Sequence, residues 1–104
     1  MTPIQFEAEA LFHRYLRSWN GRDLPGVAAC FAEPAMFITD EGAVALSDRT
    51  AVVALLERLL AGLDAAGFSH TTIGPVRALA CGDNLAVVDA QDVRRLKGDG
   101  SLLE

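Results

Sequence analysis

Few side chains in this sequence combine a reactive type with a position from which to react, and carboxyls lead them. Asp89 and Asp92 stand in one extended run, and their odd spacing sends them to opposite faces of a strand, so at most one looks inward. An Asp89 buried beside apolar walls would have its pKa raised and would serve as an acid or as a poised base. Left in water, it would be an ordinary strand residue, and the residues alone leave both readings open. Gln91 shares a face with Asp89 and is of a type to orient a polar group of a ligand. Asp40 stands just before Glu41-Gly42 and reads as a turn residue.

Other chemistries lack the residues they require. His13 lies off the apolar stripe of its helix and His70 opens a strand, so neither is expected to converge with carboxylates, and no metal site is expected. Cys30, just before Phe31, reads as a small apolar group. Neither Cys30 nor Cys81 belongs to a Cys-x-x-Cys pair, which fits reduced thiols in the cytoplasm. There is no Gly-x-Ser-x-Gly elbow, P-loop, dinucleotide fingerprint or EF-hand loop, and no cofactor is expected.

The elements that would position these residues follow from periodicity. Ala8, Leu11, Phe12, Tyr15, Leu16 and Trp19 recur at helical spacing, with Glu9, His13, Arg14 and Arg17 off the stripe. Asn20-Gly21 should close this helix, since both tolerate the left-handed conformation. Asp23 then caps a second helix with Pro25 in its first turn, Leu24, Val27, Ala28 and Phe31 facing inward, and Pro34 as its stop. Ala35 to Asp40 and Ala43 to Leu46 read as a hairpin through Glu41-Gly42. Ser47 or Asp48 caps a third helix, whose Val52, Leu55, Leu56, Leu59 and Leu63 form another stripe before Ala65-Ala66-Gly67. Phe68 to Ala80 and Leu85 to Leu96 read as two long strands joined through Cys81-Gly82-Asp83-Asn84, with Pro75 marking an edge or bulge. After Gly98-Asp99-Gly100, Ser101 to Glu104 reads as the start of another strand.

At 104 residues the chain suits one domain, 1–104, which would bury roughly two thirds of the surface its unfolded form exposes. A hydrophobic content of 51% and a mean hydropathy of +0.25 describe a soluble but rather apolar protein. Nine basic against fourteen acidic residues give a net charge of −5, which repels nucleic acid and anionic membranes alike. The one basic cluster, Arg94, Arg95 and Lys97, is short, has no aromatic beside it and reads as a solvated strand end. No signal peptide or membrane-spanning stretch is evident at the sequence level.

The run Tyr15-Leu16-Arg17-Ser18-Trp19-Asn20-Gly21-Arg22-Asp23-Leu24, followed by Val27, Phe31-Ala32 and Phe37, together with the order of elements, resembles the NTF2-like, or SnoaL-like, superfamily. The resemblance covers nearly the whole chain, though mostly through scaffold positions. It implies an α+β fold, a cystatin-like cone in which three helices of the N-terminal part pack on a curved antiparallel sheet around an apolar pocket. It also implies homodimers formed through the outer sheet face. Family members usually carry two further strands, and this sequence stops where the first should begin. The expectation is either an incomplete chain or an edge covered by a partner.

By the same resemblance, Tyr15 falls where ketosteroid-isomerase-like enzymes place a tyrosine that donates to a developing oxyanion. Read from the residues alone, it is a core aromatic of the helix stripe with its hydroxyl satisfied locally. The position of the enzymes' carboxylate base falls on Thr39, which cannot act as one, and Asp40 would reach the pocket only through a bulge. Asp89 falls where relatives often place polar pocket residues. The expected function is binding of a small molecule by Tyr15, Trp19, Phe37, Thr39, Asp89 and Gln91, although core packing alone accounts for Trp19 and Phe37. One alternative is a cofactor-independent isomerase, cyclase or dehydratase with Tyr15 as electrophile and Asp40 or Asp89 as base. A second is a dimeric interaction module with a filled interior.

Overall fold

Thr2 starts the longest helix, α1 (Pro3–Asn20), through a capping box. Its hydroxyl accepts from the Gln5 backbone N–H while the Gln5 side chain takes the N–H of Thr2. The computed structural model describes residues 1–104. In it α1 ends at Gly21, but the left-handed residue is neither Asn20 nor Gly21 as expected; it is Arg22, with φ of 55°. Asn20 stays helical and Arg22 tolerates its conformation because both side chains are anchored on the strand that follows α3, as described below.

Asp23 caps the short helix α2 (Leu24–Ala28), its carboxylate accepting from the N–H of Gly26 at 3.0 Å. A Cβ at Gly26 would lie 2.3 Å from that carboxylate, so the cap requires glycine there. Pro34 is not the stop: α2 ends at Ala28, and tighter turns, with the N–H groups of Cys30 and Phe31 bonding three residues back, carry the chain on. Strands β1 (Ala35–Thr39) and β2 (Gly42–Leu46) form an antiparallel hairpin whose turn is Asp40-Glu41. Asp48 caps α3 (Arg49–Ala65), accepting from Ala51 N–H at 2.8 Å, and Gly67, with φ of 95°, closes it.

Strands β3 (Phe68–Thr72), β4 (Val76–Ala80), β5 (Ala86–Ala90) and β6 (Arg94–Lys97) make one long bent hairpin. β4 pairs with β5 and β3 with β6, and the register that sets Val76 opposite Ala90 also sets Thr72 opposite Arg94. The break between them falls at Gly74-Pro75, where proline lacks an N–H, opposite Asp92, whose φ is 54°. A Cβ at Gly74 would sit 3.1 Å from that of Asp92, so a larger residue at the kink would press Asp92 aside. Beyond β6, Leu96 bridges to Leu102 and the N–H of Arg95 bonds the carbonyl of Glu104, so Ser101–Glu104 does begin to pair.

The fold is thus α+β with antiparallel pairing throughout, but the single curved sheet of the sequence reading is divided into three two-stranded ladders: β1–β2, β3–β6 and β4–β5. The free edge of the β3–β4 run is closed by side chains of α1 rather than by a strand. Gln5 donates to the carbonyl of Ala78 at 3.1 Å and Glu9 accepts from its N–H at 3.2 Å. Asn20 does both at Thr71, at 2.9 and 2.8 Å. Arg22 donates to the carbonyls of Phe68 and Ser69 and to Asp64, with its guanidinium over the Phe68 ring.

The main core is small: Val27, Ala28, Leu46, Val52 and Leu56, where α2, β2 and α3 meet. The accessible surface is 6754 Å², against about 5,650 Å² for a compact monomer of this mass. The radius of gyration, 14.4 Å, likewise exceeds the roughly 13 Å of a compact domain of this length. The fold therefore buries nearer ~58% than two thirds of its unfolded surface, and large apolar side chains are among those left exposed. Met36 and Ile38 stand 59% and 76% exposed on the outer face of β1–β2, and Leu79 and Val87 lie exposed on β4–β5.

Candidate functional site

Helical spacing on α1 brings Ala8, Leu11, Phe12 and Tyr15 to one wall of an open groove of about 300 Å³. Cys30 and Phe31, in the turns after α2, form the second wall, and Val88 of β5 forms the third. Tyr15 occupies the middle of an aromatic chain: its ring centroid is 5.8 Å from that of Phe12 and 6.0 Å from that of Phe31, and Phe31 stacks on Phe37 at 5.2 Å. Among the groove-lining side chains only Tyr15 offers an oxygen. Burial raises the pKa of its hydroxyl above the ordinary 10.0, opposed in smaller measure by the adjacent Trp19 indole and the Arg95 charge and reinforced slightly by Cys30. Tyr15 is therefore a neutral hydrogen-bond donor at physiological pH.

The other residues singled out from sequence are dispersed. Phe37 packs half-buried behind Phe31, on the core side of β1. Thr39 shares that face but lies exposed at the strand end, where its hydroxyl accepts from the Glu41 N–H. Asp40 is an exposed turn residue with no bulge to carry it inward. Asp89 is exposed on the face of β5 opposite Val88, across from Arg77, with the Gln91 amide donating to it at 3.3 Å. Neither Asp89 nor Gln91 reaches the Tyr15 groove, and no carboxylate lines it. The reason is the phase of the pleat: Ala86, Val88 and Ala90 turn toward the helices, leaving Val87, Asp89 and Gln91 outside. Asp92 is exposed too, its carboxylate taken by Arg94 at 2.9 Å.

Trp19 packs on the main core and borders a second crevice, where α1 meets α3 and β6. Of the seven lining residues, sequence reasoning selected only Tyr15. Ala8, Leu11, Phe12 and Phe31 carried a signal in their helical stripes, whereas Val88 is indistinguishable in type from its neighbour Val87. No group of three His, Cys, Asp or Glu side chains converges anywhere, both cysteines are free, and no helix is long and apolar enough to cross a membrane.

Comparison with curated proteins and with solved structures returned no match. The sequence profile of the family described as "NTF2-like protein (DUF6841)" matches residues 6–104, a span that begins within α1 and takes in every later helix and strand. The chain belongs to this NTF2-like family.

Proposed function

We propose that this domain binds a small, largely apolar molecule in the groove between α1, the turns after α2, and β5, with the Tyr15 hydroxyl donating to an oxygen of the ligand. The observation that carries the reading is a groove lined by seven apolar and aromatic side chains of which only Tyr15 carries a hydroxyl, close to the usual composition of a small-molecule site. The isomerase, cyclase or dehydratase alternative needs a base facing Tyr15, and Asp40 and Asp89 both lie elsewhere. Two free thiols accord with a reducing, cytoplasmic setting for this binding.

The test is fluorescence enhancement of a neutral apolar dye, N-phenyl-1-naphthylamine. Saturable binding to wild type that is lost when Ala8→Phe fills the groove supports the proposal. Equal binding by the filled variant refutes it. Tyr15→Phe should leave the dye bound but weaken competition by a naphthyl ketone, which needs the donor, about three- to tenfold.

A second reading rests on the exposed apolar strand faces. The chain shows about 1,100 Å² more surface than a compact monomer of its mass, and a standard interface takes about 800 Å² from each partner. We infer a homodimer through the outer sheet face, with Met36 and Ile38 of β1 at its centre. Light scattering should give a dimer for wild type and a monomer for Ile38→Lys; a monomeric wild type at tens of micromolar refutes this.

A further inference from the structure

We propose that the crevice beside Trp19 is a second binding site, for a small monocarboxylate with an apolar body. The crevice holds about 270 Å³, near the lower end of ligand-sized cavities. Trp19 of α1 and Leu59 and Leu63 of α3 supply its apolar walls, and Arg58 on α3 and Arg95 on β6 are its basic lining residues. Two arginines lining one small crevice stand out in a chain whose net charge is −5.

The state of the two arginines specifies the ligand. Arg58 enters none of the three salt bridges of the fold, so no carboxylate is in direct contact with its guanidinium. Arg95 is paired with the Glu104 side chain, which itself lines the crevice. Glu104 thus shows what the crevice accepts: a carboxylate on Arg95, with apolar surface alongside. A ligand carboxylate displacing it would meet two planar guanidinium donors, whose geometry suits carboxylates. A neutral ligand of the same shape would leave those donors unmatched. The site is distinct from the Tyr15 groove and does not depend on occupation of that groove.

Trp19 is the only tryptophan and lines this crevice, so its emission responds to a ligand bound there. The full chain is titrated with octanoate and with octanamide, which keeps the apolar body and lacks the charge. Octanoate should shift the emission saturably and octanamide should bind about tenfold more weakly or worse. Arg58→Met and Arg95→Met should each bring octanoate down toward octanamide, and Glu104→Gln should tighten octanoate by removing the internal competitor. A flat response to octanoate, equal binding of acid and amide by wild type, or undiminished octanoate binding in both arginine variants overturns the proposal. So does unchanged affinity in Glu104→Gln, because Glu104 then does not compete for the subsite. Circular dichroism checks that each variant is folded, and the acid–amide comparison on wild type stands without any variant. Dye binding in the Tyr15 groove is read separately, so failure here leaves that proposal untouched.

Discussion

Replacing Asn20 by alanine removes two hydrogen bonds in one step, because the side-chain amide serves both the carbonyl and the N–H of Thr71 on the free edge of β3. Each is worth about 1 kcal/mol net, and the half-buried edge leaves the orphaned groups only partly rehydrated. Alanine returns roughly 0.5 kcal/mol of helix propensity in exchange. The expected net loss is therefore about 1.5–2 kcal/mol, which for a domain of this size lowers Tm by roughly 8–15 °C. With only seven of 104 residues fully buried, total stability should lie near the low end of the usual ~5–15 kcal/mol, making the loss easy to see. Urea unfolding followed by circular dichroism measures it globally, and the emission of Trp19, the neighbouring residue, measures it locally. Asn20→Asp sharpens the test. Its carboxylate still accepts from the N–H but faces the carbonyl with a second oxygen, which raises its folded pKa. The stability tied to that raised pKa is present below the unfolded carboxyl pKa and is lost as pH rises through the folded value. The aspartate variant should thus gain on the alanine variant in acid. An alanine variant within about 0.5 kcal/mol of wild type, no more than ordinary surface scatter, would refute the view that α1 seals this edge.

Three further outcomes follow from the same geometry. Arg22→Gly relieves a left-handed residue, worth about 1 kcal/mol, but forfeits three hydrogen bonds and a ring contact; chemical denaturation should show a net loss of about 1–2 kcal/mol, and a gain would contradict the assigned role. Glu9→Ala should cost about 1 kcal/mol by freeing the N–H of Ala78 while Glu9→Gln, which keeps an acceptor, should not; equal melting of the two variants counts against the contact. Tyr15 is the only tyrosine, so phenolate absorbance reports its titration directly, and the midpoint should lie above 10.0. Because the folded pKa is raised, the associated stability is intact below pH 10 and lost as pH climbs through the folded value, and Tyr15→Phe should abolish that alkaline loss.

Helices and hairpins were legible because their signals are local. The Tyr15 stripe, the Asp23 and Asp48 caps and the strand break at Pro75 are all written in neighbouring residues. The inward phase of β5 was not, because Val87 and Val88 offer the same side chain to both faces and the left-handed Asp92 interrupts the alternation beyond them. Asp89 entered the expected site through the family resemblance and Gln91 as its same-face neighbour, and nothing local marked Val88 as the inward residue. Equally hidden were the edge contacts of Gln5, Glu9 and Asn20. As polar residues on a helix they look solvent-facing, and only the tertiary path of β3 and β4 brings backbone groups within their reach. Tyr15 itself was found, but its aromatic partners Phe12 and Phe31 come from segments that sequence places only as separate stripes.

The register shared by β4–β5 and the near end of β3–β6 bears on how the C-terminal half assembles. Ala80 and Ala86 pair across a loop of only five residues, already closed by the Cys81 N–H on the Leu85 carbonyl, so the entropic toll of the first contact is small. Each later pair extends a zipper whose ends are already held together, until the Gly74 and Asp92 kink forces a pause before β3 can engage β6. Pulse-labelled amide exchange during refolding should accordingly find the β4–β5 amides shielded ahead of those of β3–β6. Simultaneous shielding would mean that the ribbon condenses as one unit.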